Sequence, residues 1–185
     1  MKKTLLPILF IFLFSFVSNA QHVFDKGDIG INAGIGVGGT GGLFPSLEFS
    51  AEYGAIPTGT IGLVSFGGKA AYKYSRYSYS YLNNSNLNRD YNYNQFEFGV
   101  RAAWHLLYFE NNKWDSYAGF GTGIRLYNDY NYNNSKNNVV NNGRTGGYVE
   151  GFVGGRMMMS EGFGFYAEVG YSYTSNARIG FTFLF

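Results

Sequence analysis

Cysteine is absent from the chain. That removes a disulfide framework, a thiolate metal site and a lipid-modified N-terminal cysteine in one step. Histidine is scarce, with only His22 and His105, so metal ligation and acid–base chemistry are short of parts. Charge is scarce too: Asp, Glu, Lys and Arg make up 14% of the residues, against roughly 25% in an ordinary soluble domain. Long apolar runs are missing after residue 20, where nothing approaches the roughly 18 residues of a membrane-spanning helix. Mean hydropathy is only −0.15, and a helical membrane protein is excluded. What the chain does have is aromatics, 20% of its residues, with 17 Tyr and 18 Phe. Rings in that number need something other than water to face. A closed β-barrel meets lipid without long apolar runs, because lipid-facing residues alternate with polar interior ones.

Residues 1–20 read as a signal peptide ahead of a single domain, residues 21–185. Lys2 and Lys3 form a basic start, Leu5 to Val17 an apolar stretch broken by Pro7 and Ser15, and Ser18-Asn19-Ala20 a small-residue cleavage site. The formal charge is +2, from 14 basic and 12 acidic residues. Removing Lys2 and Lys3 leaves 12 against 12, a balance with no mark of nucleic-acid binding.

From Gly27 onward, apolar residues alternate with small or polar ones at period two, the pattern of strands with two different faces. Ile29, Ile31, Ala33, Ile35 and Val37 share one parity, and Asp28, Gly30, Asn32, Gly34 and Gly36 the other. Similar alternation recurs near residues 44–56, 60–75, 92–109, 113–127, 144–159, 162–174 and 176–185, giving eight segments of membrane-strand length. The connections alternate in length. Pro57-Thr58-Gly59, Glu110 to Lys113 and Ser160-Glu161 are short, whereas Arg76 to Tyr91 and Asn128 to Gly143 are long and polar. Outer-membrane barrels combine short periplasmic turns with long extracellular loops, and this parity places both termini in the periplasm. The expected fold is all-β: an eight-stranded antiparallel transmembrane β-barrel, wound as an up-and-down meander.

The last segment puts Ala177, Ile179, Phe181, Phe183 and Phe185 on one face, opposite Asn176, Arg178, Gly180 and Thr182. Its Gly180-Phe181-Thr182-Phe183-Leu184-Phe185 is similar to the assembly signal of outer-membrane barrels. With the strand count, it makes the mature chain resemble the small OmpA/OmpX-type barrels over nearly its full length. The resemblance implies that Gly180, Phe181, Phe183 and Phe185 are read by the barrel-assembly machinery; it carries no catalytic residue across. Aromatics at outward parity suggest two girdles against outer-membrane lipid. Trp104, Tyr108, Trp114, Phe163, Phe183 and Phe185 lie toward one end, and Tyr72, Tyr74, Tyr171 and Tyr173 toward the other.

The inward parity then holds Glu48, Glu52, Lys69, Lys73, Glu97, Arg101, Arg125, Glu150, Arg156, Glu168 and Arg178. An eight-stranded barrel is just wide enough to be filled by side chains, so these charges are expected to pair as a buried plug. A gate that switches partners would need two stable arrangements, which a sequence does not reveal. Inward glycines such as Gly30, Gly34, Gly119, Gly121 and Gly123 give the long side chains room. Gly36-Val37-Gly38-Gly39-Thr40-Gly41 matches a dinucleotide fingerprint, but a strand follows it where the fingerprint needs a helix.

No enzyme is expected, and no cofactor or metal. His105 points inward at the turn end, where a structural role inside the plug suits it better than catalysis, and no Gly-x-Ser-x-Gly elbow is present. Function is sought instead in the long loops, where Tyr77, Tyr79, Tyr81, Tyr91, Tyr93, Tyr127, Tyr130 and Tyr132 alternate with Ser, Asn and Asp. That alternation implies hairpins continuing above the membrane. Rigid rings with small hydrogen-bonding groups also make an adaptable contact surface. The sequence therefore points to a bacterial outer-membrane protein with a structural or surface-interaction role and an unidentified extracellular ligand. A small pore and a lipid-modifying enzyme stand as alternatives.

Overall fold

The computed structural model describes residues 22–79, 89–106, 113–133 and 138–185. The expected signal peptide, Tyr81 and Tyr108 lie outside these residues. Eight strands follow in chain order: β1 (Ile29–Val37), β2 (Ser46–Pro57), β3 (Leu63–Tyr79), β4 (Arg89–His105), β5 (Trp114–Asn133), β6 (Asn138–Ser160), β7 (Phe163–Tyr171) and β8 (Ala177–Leu184). Each pairs antiparallel with its neighbour, and β1 also pairs with β8, closing an up-and-down barrel. No helix among the described residues is long and apolar enough to cross a membrane, which says nothing of strands.

The period-two alternation explains the closure. One parity of every strand meets in the lumen and the other forms the outer wall. Phe49, Phe66, Val100, Phe120, Val149 and Ile179 are exposed on that wall, while the buried set is mostly charged or polar. This is the reverse of a soluble domain, where the apolar parity is inside.

Two findings concern boundaries. The described parts of the segments read as long connections at 76–91 and 128–143 are strand, as the hairpin continuation expected from their alternation requires: β3 and β4 stay paired out to Tyr79 and Arg89, and β5 and β6 to Asn133 and Asn138. Their Tyr/Asn alternation keeps a two-faced strand going beyond the rest of the barrel. Conversely, β7 stops at Tyr171 rather than 174. Tyr173 therefore lies in the β7–β8 connection, outside the girdle expected of it.

The other connections follow their chemistry. Between β1 and β2, Gly38, Gly39, Gly41 and Gly42 all have positive φ, from 68° to 92°, so the dinucleotide-like glycines make a tight loop. The short-turn end carries the β2–β3 turn, with a 3-10 segment at Gly59–Ile61, and a two-residue β6–β7 turn at Glu161 and Gly162.

Candidate functional site: the charged lumen and its two covers

Ten of the eleven expected interior charges are buried in the lumen: Glu48, Glu52, Lys69, Lys73, Glu97, Arg101, Glu150, Arg156, Glu168 and Arg178. They are arranged in three tiers.

At the short-turn end, Arg156 from β6 reaches Glu52 on β2 and Asp115 on β5, the latter at 3.1 Å. It can cross because β1 offers Gly30 there; a Cβ on Gly30 would sit 2.9 Å from the guanidinium. His105 Nδ1 lies 2.9 Å from Asp115, and its Nε2 lies 3.0 Å from Ser65 Oγ. Ser65, His105 and Asp115 thus stand in the order of a hydrolytic triad. The arrangement lacks what a triad needs, because Ser65 is 1% exposed and donates its hydroxyl to Glu52 at 2.7 Å. It has neither access nor a free base.

In the middle tier, Glu168 takes Arg101 at 2.8 Å and Arg178 at 3.0 Å, and accepts the Tyr117 hydroxyl at 3.0 Å. Arg178 also reaches Glu150 at 2.9 Å, and Lys69 joins Glu150, Glu48 and Glu97 at 3.0 to 3.4 Å. The Arg101 guanidinium stacks 3.8 Å over the Phe152 ring. The gap among Glu48, Lys69, Arg101 and Arg178 has no room for a water molecule.

In the third tier, Glu97 accepts from Gln95, Ser172 and Thr174, and Glu48 from Ser46 and Ser175. Lys73 is fully buried and pairs with no carboxylate among the described residues; its ammonium donates to the backbone carbonyls of Gly38, Gly42 and Thr174. One cation thereby ties the β1–β2 and β7–β8 loops together over the lumen. Thr40 N–H donating to Tyr173 O at 2.7 Å and Gly39 N–H donating to Asn176 reinforce the tie.

The opposite end has its own cover. Phe24, fully buried, enters the lumen mouth from the segment before β1 and packs on Leu63, Met158 and Leu184. Its ring centroid lies 4.5 Å from that of His105 and 5.0 Å from the Arg156 guanidinium.

Arg125 is the exception among the expected interior charges. It is half-buried, and its guanidinium stacks on Tyr173 at 3.9 Å and Tyr127 at 4.5 Å. β7 has already ended at this height, so no β7 carboxylate faces it. Its register partner Glu97 is held by Lys69, Gln95, Ser172 and Thr174.

Asp115 was missed as an interior residue, although it shares the parity of Gly119, Gly121 and Gly123 on β5. Phe24 lies outside any period and left no signal. Among the assembly-signal residues, Phe181, Phe183 and Phe185 are exposed on the wall and Gly180 lies beside the ring of Tyr166, its register partner on β7. The Tyr93 and Tyr127 rings are 6.0 Å apart. Tyr77, Tyr79, Tyr91, Tyr130 and Tyr132 lie in the extended parts of β3 to β6. No group of three or more metal-ligating side chains occurs among the described residues.

No protein-family profile matches the chain. No curated protein matches it either. Among solved structures it is similar to Ail, the attachment invasion locus protein of Yersinia pestis, at 14% identity over 86% of this chain and 95% of that one. The TM-score is 0.48 to Ail in complex with the heparin analogue sucrose octasulfate and 0.45 to a second Ail structure. That likeness assigns neither a family nor a ligand.

Proposed function

We propose that the chain is an integral protein of the bacterial outer membrane that contacts extracellular macromolecules through the sheet made by the ends of β3 to β6. The observation that carries this is an asymmetry of the rim. β2 stops pairing with β3 at Lys73, and β7 stops pairing with β6 at Gly151. Among the described residues, 74–79 and 138–150 are therefore laddered on one side only, leaving two open strand edges. Open edges present unpaired N–H and C=O groups to any extended segment that approaches.

The membrane reading is supported by the apolar outer wall, the charged lumen and the OmpA/OmpX-like last strand. In it, residues 1–20 are the export signal, the short turns and both termini face the periplasm, and the barrel-assembly machinery reads the last strand. The lumen charges act as a closed plug, which the tightly packed gap among Glu48, Lys69, Arg101 and Arg178 favours over a pore.

The test compares intact cells displaying the full chain with cells displaying a version whose residues 76–91 and 128–143 are each replaced by a four-residue turn. Binding to immobilised host or matrix proteins should be lost with the trimmed version while both insert equally. Equal binding by the two would overturn the proposal.

A further inference from the structure

The segment ahead of β1 is anchored at the short-turn end. Phe24 fills the lumen mouth, the Asp25 N–H donates to the Asp28 carboxylate at 2.8 Å, and the Gly27 N–H donates to the Gly54 carbonyl at 2.9 Å. Two residues before Phe24, the exposed His22 lines a cavity of about 390 Å³. The same cavity is lined by Lys113, just before β5, and by Met159, Ser160 and Glu161 at the β6–β7 turn.

The chemistry of His22 depends on what precedes it. Removal of residues 1–20 leaves Gln21 first in the chain and His22 second. A free α-amine one residue before a histidine makes a chelator of three nitrogens: the amine, the histidine amide nitrogen and the imidazole Nδ1. These atoms close two fused rings on a metal, and the planar peptide between them holds the set nearly flat. Flat nitrogen sets suit Cu(II), which heads the divalent affinity order and displaces an amide proton near neutral pH. Zn(II) favours a tetrahedral set and leaves that proton in place. Two of these donors are main-chain atoms, so no group of three ligating side chains marks the place among the described residues.

We infer that the mature N-terminus is a Cu(II) site, made by the Gln21 amine, the His22 amide nitrogen and the His22 imidazole, with the Glu161 carboxylate in the fourth position. Glu161 is exposed and lines the cavity that His22 lines. Binding releases one proton from the ammonium and one from the amide. The two charges of the metal are then balanced by amidate and carboxylate, so the Lys113 ammonium on the same cavity adds little repulsion. The Met159 thioether is a soft donor that copper accepts and that Mg(II) and Ca(II) do not. Phe24 keeps the chelator beside this turn, since at most about 11 Å of extended chain separates residue 21 from it. The inference rests on the reading of residues 1–20 as an export signal.

The test uses the full chain purified from outer membranes, titrated with Cu(II) against glycine as a competing chelator and followed by electron paramagnetic resonance. Intact mass is read first. A chain with a free Gln21 amine should bind one copper, with the hyperfine pattern of three nitrogens. His22→Ala should lose that pattern, as should the wild-type chain acetylated at its N-terminal amine. Glu161→Gln should keep the pattern and bind copper about tenfold more weakly. A three-nitrogen signal that survives His22→Ala or acetylation would overturn the site, as would absence of binding by the free amine or an unchanged affinity in Glu161→Gln. A mass lower by one ammonia would show Gln21 cyclised onto its own amine, which overturns the site and leaves the export reading standing. A chain that retains residues 1–20, or is cut elsewhere, would overturn the site together with the cleavage it rests on.

Discussion

Replacing Arg156 by Ala isolates the lowest tier of the lumen. Arg156 has no exposed surface and is the common partner of Glu52 and Asp115. Its loss leaves two carboxylates facing each other in a closed space with His105 as their remaining cation. Breaking a buried pair by removing one partner costs about 3–5 kcal/mol. His105, at 2.9 Å from Asp115 and 3.3 Å from Glu52, offsets part of this. The expected loss is therefore near the lower end, about 3 kcal/mol, or roughly a hundredfold in the folding equilibrium. Reversible urea unfolding in vesicles measures it, followed by the fluorescence of Trp104 and Trp114, which both sit on the outer wall and report departure from lipid. Combining Arg156→Met with Glu52→Gln and Asp115→Asn should recover most of the loss, because removing every charge of such a group is often nearly neutral. A change below about 0.5 kcal/mol for Arg156→Ala would mean that the carboxylates are solvated, and the plug would have to be abandoned.

Phe24→Ala should cost about 3 kcal/mol in the same unfolding assay, since it empties a fully buried aromatic site against Leu63, Met158 and Leu184; an effect under about 1 kcal/mol would mean the segment before β1 does not occupy the lumen mouth. Lys73→Met should leave the wall ladders intact but speed hydrogen exchange at the amides of Gly39 and Thr40, read by mass spectrometry, and unchanged exchange would show that the two loops hold without their shared cation. Deleting Phe185 removes two backbone hydrogen bonds to Ile29 and a side chain that is 75% exposed. Folded yield in outer membranes should therefore drop far more than unfolding stability in vesicles, and equal yields would deny the last strand its role in assembly.

The fold was legible because strand parity is a strict two-state code. Once Ile29 is outward, Gly30 is inward, and the same rule located Glu48, Glu52 and Arg101 with no knowledge of their partners. The rule is silent about height. Arg125 obeys the parity yet stacks on tyrosines, because the strand that would have faced it ends too soon. Boundaries at the Tyr/Asn segments were blurred for a related reason: the alternation that marks a membrane strand also marks a strand in water. The two covers were not legible. Phe24 belongs to no repeat, and the Lys73 bonds go to carbonyls of glycine-rich loops, which carry no side-chain signature.

If the outer wall faces lipid, as proposed above, the sequence separation of the lumen contacts bears on how the barrel enters the membrane. Glu52 and Arg156 are 104 residues apart, Lys69 and Glu150 81, and Glu48 and Ser175 127. None of these pairs can form within a single hairpin. An open sheet entering hydrocarbon would carry its carboxylates and guanidiniums unmatched, at roughly 2.5–3.5 kcal/mol for each charge near the bilayer centre. The early strands therefore cannot settle into lipid ahead of the late ones. Insertion and sealing of β1 against β8 have to occur together, so that the lumen charges neutralise one another as the wall meets the bilayer. A truncation anywhere before Arg178 strands charges contributed by much earlier strands.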